Sequence, residues 1–449
     1  MDASTERAMT EERLRLTVEA DKPMLEPTSR RRLIATMLLA AGAVAWSQPQ
    51  RAPLARTSHG LVRGSLLEDG GAVFKGIPHA HPPVGALRWR DPERNVGQAA
   101  QTRTPQPPHA RAIDHFVPHI STERANEGSR VSLFLRERHG TPLGPVVLFV
   151  QGRSAAAVPS FDLEYRDYSW MVYLADAGFD VFALDLQGYG RSSKPTVMDD
   201  PCNTSADNQA KYLMPNPLPG PCPPRYPHSF GSFMTDWDEI DTVVEFIRSL
   251  RGDRALKVNL VGWSRGGMRV IGYAALRPDN IERVVALAPT RFPPIAAVPS
   301  YPMNMTDKRD FFVDWDRQID SKNCPQQVDP SIRQALWDST IALDKLGSGW
   351  GASGVRRSPA FSAAGWTADL PGRVRAPTLV IRGALDDQAP ELATRALYGA
   401  LGGPKAYVTV SCGSHELVYE KQHTKLMHAS AEWLRSRSYE GRSPRPVSK

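Results

Sequence analysis

Lys257-Val258-Asn259-Leu260-Val261-Gly262-Trp263-Ser264-Arg265-Gly266-Gly267-Met268 is the stretch that decides how this chain folds. Residues 257–261 are largely apolar and β-branched, the composition of a buried strand. Residues 268–276 are rich in helix formers. Between them stands a G-x-S-x-G pentapeptide, with Gly262 and Gly266 on either side of Ser264. Strand, sharp turn and helix in immediate succession force the central serine into an unfavourable backbone conformation. Small residues are then required two before and two after it, because bulkier ones would meet the adjoining strand and helix. In return the hydroxyl is exposed at the positive end of a helix, where an oxyanion can be stabilised. Ser264 is therefore the candidate nucleophile.

A nucleophilic serine needs a base, and the base needs an orienting carboxylate. Pro377-Thr-Leu-Val-Ile-Arg-Gly383 reads as a buried strand ending at glycine, and Asp386 and Asp387 follow it directly. Ala406-Tyr-Val-Thr-Val410 reads as another strand, followed by Ser411-Cys-Gly-Ser-His415 and an amphipathic helix expected over 419–435. Carboxylates and histidines just beyond the C-terminal ends of strands lie where open α/β sheets place their sites. His415 is the expected general base and Asp386 its orienter; Asp387 is expected to cap the following helix. Each residue alone would pass for an ordinary loop or cap residue. The order serine, aspartate, histidine, each after a strand, makes the set.

Two backbone N–H groups must bind the oxyanion. One is expected from Arg265, after the nucleophile, and the other from Arg153 in the loop Gln151-Gly152-Arg153, after the strand Pro145-Val-Val-Leu-Phe-Val150. With these pieces, residues from about 110 to 440 resemble a lid-bearing serine hydrolase of the α/β-hydrolase superfamily. The resemblance implies an α/β fold with a mostly parallel central sheet flanked by helices and an inserted lid. Asp185-Leu-Gln-Gly-Tyr-Gly-Arg-Ser192 resembles the superfamily's D-x-x-G-x-G-x-S turn and is read as structural. The chain departs from the family at Gln151, where histidine is usual. Since the donors are backbone groups, the amide of Gln151 is expected to take over the histidine's supporting bonds.

A second resemblance covers residues 57 to about 95. Thr57-Ser-His-Gly-Leu-Val-Arg-Gly64, Phe74-Lys-Gly-Ile-Pro-His-Ala80 and Pro82-Pro-Val-Gly-Ala-Leu-Arg-Trp89 are similar to the start of type-B carboxylesterases. That family's Gly-Glu-Ser-Ala-Gly elbow and Gly-rich oxyanion loop are absent, so this segment supplies no catalytic residue and is expected to form a β-hairpin. His79 and His81 lack an evident third ligand, and no metal site is expected.

At 449 residues the chain is long enough for one large α/β domain with an insertion. The expected divisions are an export signal over 1–47, an arm over 48–109, a core over 110–290 and 375–436, a lid over 291–374, and a disordered tail over 437–449. Ser29-Arg-Arg-Arg-Leu-Ile34 followed by an apolar run to Trp46 reads as a twin-arginine export signal, too short to anchor in a membrane. The first 47 residues carry seven basic and seven acidic side chains, so the net charge of +7 falls on the remainder. Those basic residues are scattered and not interleaved with aromatics, which argues against a nucleic-acid partner. Four cysteines suit an exported protein. Cys202 with Cys222 would close a Pro- and Asn-rich loop, and Cys324 with Cys412 would tie the lid to the loop of His415, but all three pairings remain open. The lid segment holds Phe292, Tyr301, Phe311, Phe312, Trp315, Trp337, Trp350, Phe361 and Trp366. Most of these rings are expected to pack the lid itself, with two or three lining an apolar or aromatic pocket.

The reading is an exported hydrolase of small carboxylic esters, with no cofactor. Amide or C–C bond hydrolysis on the same three residues, and a non-catalytic binding role, are the alternatives.

Overall fold

The computed structural model describes residues 111–138, 144–153, 155–289 and 298–438, together with four short strands between 54 and 73. The export signal, the motifs over 74–95, His79 and His81, Phe292 and the tail beyond 438 lie outside the described residues. The chain divides into two units, residues 1–104 and 105–449. In the first, β1 (Leu54–Thr57) pairs antiparallel with β2 (Gly60–Arg63), and β3 (Ser65–Leu66) with β4 (Ala72–Val73). These two pairings stand at the start of the segment expected to form a hairpin; its remainder lies outside the described residues.

The second unit is built on an eight-stranded sheet. Its strands are β5 (Ala112–Ile120), β6 (Arg130–Arg138), β7 (Val146–Val150), β8 (Asp180–Asp185), β9 (Val258–Trp263), β10 (Ile281–Leu287), β13 (Thr378–Gly383) and β14 (Lys405–Val410), counting β11 (Met303–Thr306) and β12 (Arg356–Pro359) as a separate two-stranded ribbon. The spatial order is β14-β13-β10-β9-β7-β8-β6-β5. Pairing is parallel from β14 through β8 and antiparallel at β6 and β5.

The central strands are apolar throughout because both faces are covered. Val147 and Phe149 of β7, with Val261 and Trp263 of β9, point into one core layer. Val146, Leu148 and Val150, with Val258 and Leu260, point into the other. Helices Trp170–Asp176 and His423–Ser436 close the first face; helices Phe233–Arg251, Arg265–Leu276 and Glu391–Ala400 close the second. Helix Phe233–Arg251 starts at a reciprocal Ser232/Thr235 capping box and stops at Gly252, whose φ of 66° no longer fits a helix. The last helix begins at His423, four residues later than its periodicity predicts, because residues Leu417–Tyr419 form a tight 3-10 turn first.

The sheet order puts the serine strand β9 at the centre, flanked by β7 and β10, with the Asp386 and His415 strands β13 and β14 beyond β10. All of these strands are parallel, so their C-terminal ends share one edge. Above that edge sit two excursions rather than one. The segment after β10 carries the β11–β12 ribbon and the helix Ile332–Ile341. The earlier segment between β8 and helix Phe233–Arg251 packs into it: Met198, Leu213 and Phe230 share a third core with Met303, Met305, Trp350 and Val355.

Candidate active site

Ser264 directly follows β9 with φ 59° and ψ −122°, a conformation that costs a non-glycine residue of order 1–3 kcal/mol. Its N–H is held by the Leu287 carbonyl of β10 at 2.8 Å. The flanking glycines are obligatory for the reason the sequence suggested. A Cβ on Gly262 would lie 2.2 Å from the Gly266 carbonyl oxygen, and one on Gly266 would lie 2.2 Å from the carbonyl of Val150.

The structure brings the three dispersed residues together. Ser264 Oγ lies 2.9 Å from His415 Nε2, and His415 Nδ1 lies 3.0 and 3.1 Å from the two oxygens of Asp386. A carboxylate only accepts, so Nδ1 carries the ring proton and Nε2 faces the serine hydroxyl as acceptor. Asp386 is itself held by the backbone N–H groups of Gln388 and Ala389, at 3.0 and 2.8 Å. Burial by itself would depress the His415 pKa, but the charge and hydrogen bond of Asp386 outweigh it and hold the ring above its ordinary value. The Trp263 indole donates to the His415 carbonyl at 2.9 Å.

Asp387 does not cap the next helix. That helix starts after Pro390 with no side-chain cap, and Asp387 turns to Arg317 of the insertion at 3.2 Å.

Gly152 lies against the elbow; a Cβ there would be 3.2 Å from Ser264 Cβ. Arg153 and Ser264 both line the cavity above. Arg265 opens helix Arg265–Leu276, so its N–H is among the four that a helix leaves unpaired at its start. Its side chain turns away and stacks over Phe361, 4.1 Å from the ring centre. Gln151 is fully buried; its amide donates to the Leu184 carbonyl and accepts from the Leu186 N–H at 3.3 Å, lacing the loop to β8.

Several supporting residues escaped the sequence reading. Arg269 Nη1 donates to the carbonyls of Gln151 and Gly152 at 2.7 and 2.9 Å, and its Nε to Asp236 at 2.6 Å. Tyr189 donates to the Arg153 carbonyl at 2.9 Å. Together they engage every carbonyl of the 151–153 loop. Arg382 holds the acid turn through the carbonyls of Asp386 and Ala389 at 2.7 and 3.0 Å. The one available signal was an arginine at 269 amid Met268, Val270 and Ile271, a charge on a helix stripe that must be buried.

The serine opens into a cavity of about 430 Å³. Phe311, Phe312 and Trp315 form one wall, the two or three rings expected. Trp337 packs behind Phe311, Trp350 belongs to the third core, and Phe361 and Trp366 pack on Phe233. The cavity is not simply apolar. Asn304 and Thr306 of β11 face it with their cross-strand partners Ser358 and Arg356 of β12, so one side of the ribbon is a polar wall. Lys211 and Tyr212 reach in from the earlier excursion, each bonded to Asp310. No cluster of metal-ligating side chains exists among the described residues.

The chain belongs to the α/β hydrolase fold family, whose sequence pattern matches residues 145–422. Its relatives include phenmedipham hydrolase of Pseudarthrobacter oxydans, 51% identical over 45 residues, which are 10% of this chain and 9% of that protein. Liver carboxylesterase 1 of Oryctolagus cuniculus is 30% identical over 108 residues, 23% of this chain and 18% of that protein. The chain thus matches less than a fifth of the length of either. Among solved structures, the thioesterase domain from the curacin biosynthetic pathway is similar at a TM-score of 0.43 and 17% identity, over 72% of this chain and 99% of that one.

Proposed function

We propose that this protein hydrolyses small carboxylic esters through an acyl-enzyme on Ser264. The observation that carries the reading is the unbroken relay from Ser264 Oγ to His415 at 2.9 Å and from His415 to Asp386 at 3.0 Å, opening into a cavity. As Ser264 Oγ attacks the ester carbonyl, its proton passes to His415 Nε2, and the imidazolium so formed is stabilised by Asp386. The carbonyl oxygen becomes an oxyanion, bound by the N–H groups of Arg153 and Arg265. Collapse expels the alcohol, which takes the proton back from His415. A water, deprotonated by the same nitrogen, then attacks the acyl carbon and frees the acid and the serine.

The walls indicate an amphipathic substrate. Its apolar or aromatic part lies against Phe311, Phe312 and Trp315, and its hydrogen-bonding substituents lie against the Asn304, Thr306, Arg356 and Ser358 wall. Two disulfides support the export read from Arg30, Arg31 and Arg32. No helix among the described residues is long and apolar enough to cross a membrane.

The test is hydrolysis of p-nitrophenyl esters from acetate to decanoate, alongside labelling by a fluorophosphonate. Ser264→Ala should lose both, with turnover lower by about 10³ or more. Near wild-type turnover in that variant would sink the nucleophile assignment. A folded wild-type protein that labels with fluorophosphonate but cleaves no ester would move the reading to amide or C–C bonds.

A further inference from the structure

The inserted segment around 313–328 does more than roof the cavity. Gln318 is buried, just past the short helix Val313–Asp316. Its Oε1 accepts two backbone N–H groups, that of His415 at 3.0 Å and that of Asp387 at 3.3 Å. One belongs to the candidate base itself and the other to the residue following the candidate acid. These two groups stand on different loops, after β14 and after β13, and the side chain of Gln318 bridges them. The bridge is aimed by its own Nε2, which donates to the Asp314 carbonyl at 2.8 Å.

The surroundings hold Gln318 in place. Gln327 donates to the Gln318 carbonyl at 3.2 Å and to Glu420 at 2.8 Å. Glu420 in turn accepts from Trp315 of the insertion at 2.9 Å, and from the N–H and hydroxyl of Ser414, next to His415, at 2.8 and 2.6 Å. The Cys324–Cys412 disulfide and the Arg317–Asp387 ion pair close the same seam. At this end the insertion is stitched to both catalytic loops and cannot swing off as a free flap.

We propose that Gln318 is a positioning residue: its single carbonyl oxygen sets the spacing of the Asp386 and His415 loops, so the insertion is part of the hydrolytic machinery and not only its cover. This rests on the reading of Ser264, His415 and Asp386 as nucleophile, base and orienter.

Two variants separate positioning from simple packing. Gln318→Met keeps the unbranched length and removes the acceptor; Gln318→Glu keeps an acceptor oxygen and, as the buried neutral acid, an O–H that can donate to the Asp314 carbonyl. The expected result is a fluorophosphonate labelling rate and kcat lowered roughly ten- to a hundredfold in Gln318→Met, with KM within about twofold, because a small misplacement costs reactivity before binding. Gln318→Glu should recover most of the labelling rate. Wild-type labelling unchanged by Gln318→Met would overturn the inference while leaving the nucleophile assignment intact. Equal losses in both variants, in step with a lowered Tm, would overturn it in favour of a merely structural role. No labelling of the folded wild-type protein would remove the reading of Ser264 and this inference together.

Discussion

His415 shows how one side chain's chemistry is set by opposing effects. Its burial favours the neutral ring, and the Asp386 carboxylate favours the charged one; the carboxylate prevails and the pKa is raised above 6.5. On the proposed mechanism His415 must be unprotonated to accept the serine proton, so activity should fall as pH drops through that raised value. The expected kcat/KM profile has its acidic limb centred above 6.5, and Asp386→Asn should shift the limb to lower pH as well as lower the plateau. A limb left in place by Asp386→Asn would show that another group titrates. The neighbouring aspartate gives the matching control. Asp386→Ala should cost about 10³ in kcat. Asp387→Ala breaks only a half-exposed pair with Arg317, and such pairs are worth about 0–1 kcal/mol. Kinetics that ranked the two variants the other way would exchange their roles. Glu416 also faces the cavity, and burial pushes its pKa up to about 7 despite the opposing pull of His415. A carboxyl whose folded pKa lies above its unfolded value costs stability increasingly as pH rises from about 4.5 to 7.

Among the elements, the turn Asp185 to Ser192 and the helix Arg265–Leu276 brace the 151–153 loop, the proposed oxyanion loop, between them. Asp185 accepts the N–H groups of Ala157 and Arg191 at 2.6 and 2.9 Å, which locks the turn that presents Tyr189. The side chains of this motif brace backbone, and Tyr189 and Arg269 occupy all three carbonyls of residues 151–153. A peptide unit whose carbonyl is bound elsewhere has its N–H direction set in advance, the preorganisation an oxyanion site needs. Tyr189→Phe should therefore lower kcat by about fivefold with KM little changed, since one neutral hydrogen bond is worth about 1 kcal/mol. Unchanged kcat would show that Arg269 alone holds the loop. Arg269 is less suited to the test, because its loss would leave the Asp236 carboxylate buried without its partner.

Across the whole molecule the two disulfides have different reach. Cys202–Cys222 closes 20 residues within the earlier excursion, and Cys324–Cys412 spans 88 and joins the insertion to the His415 loop. Loop-closure entropy makes these worth about 3 and about 4.5 kcal/mol respectively. The double variant Cys324→Ser with Cys412→Ser should lose more stability in urea unfolding, and also slow fluorophosphonate labelling. Cys202→Ser with Cys222→Ser should lose less, with labelling nearly preserved. The reverse order of labelling rates would mean the earlier excursion governs the site. Two separately inserted segments thus meet above one sheet edge, and the cavity takes residues from both.

The strand–turn–helix at Ser264, the strand before Asp386 and the strand before His415 were legible in the chain because each rests on local rules: apolar runs, glycines forced by close backbone contact, and order along the chain. Tertiary structure alone decided that Asp387 turns to Arg317 and does not cap the next helix, because that depends on which way a turn presents its side chains. It also decided which cysteines pair, that Asn304, Thr306, Arg356 and Ser358 make the cavity half polar, and that Gln318, Arg269 and Tyr189 serve the site. These residues act through hydrogen bonds to backbone tens to more than a hundred positions away, and a polar side chain carries no local mark of the distant carbonyl or N–H it will meet.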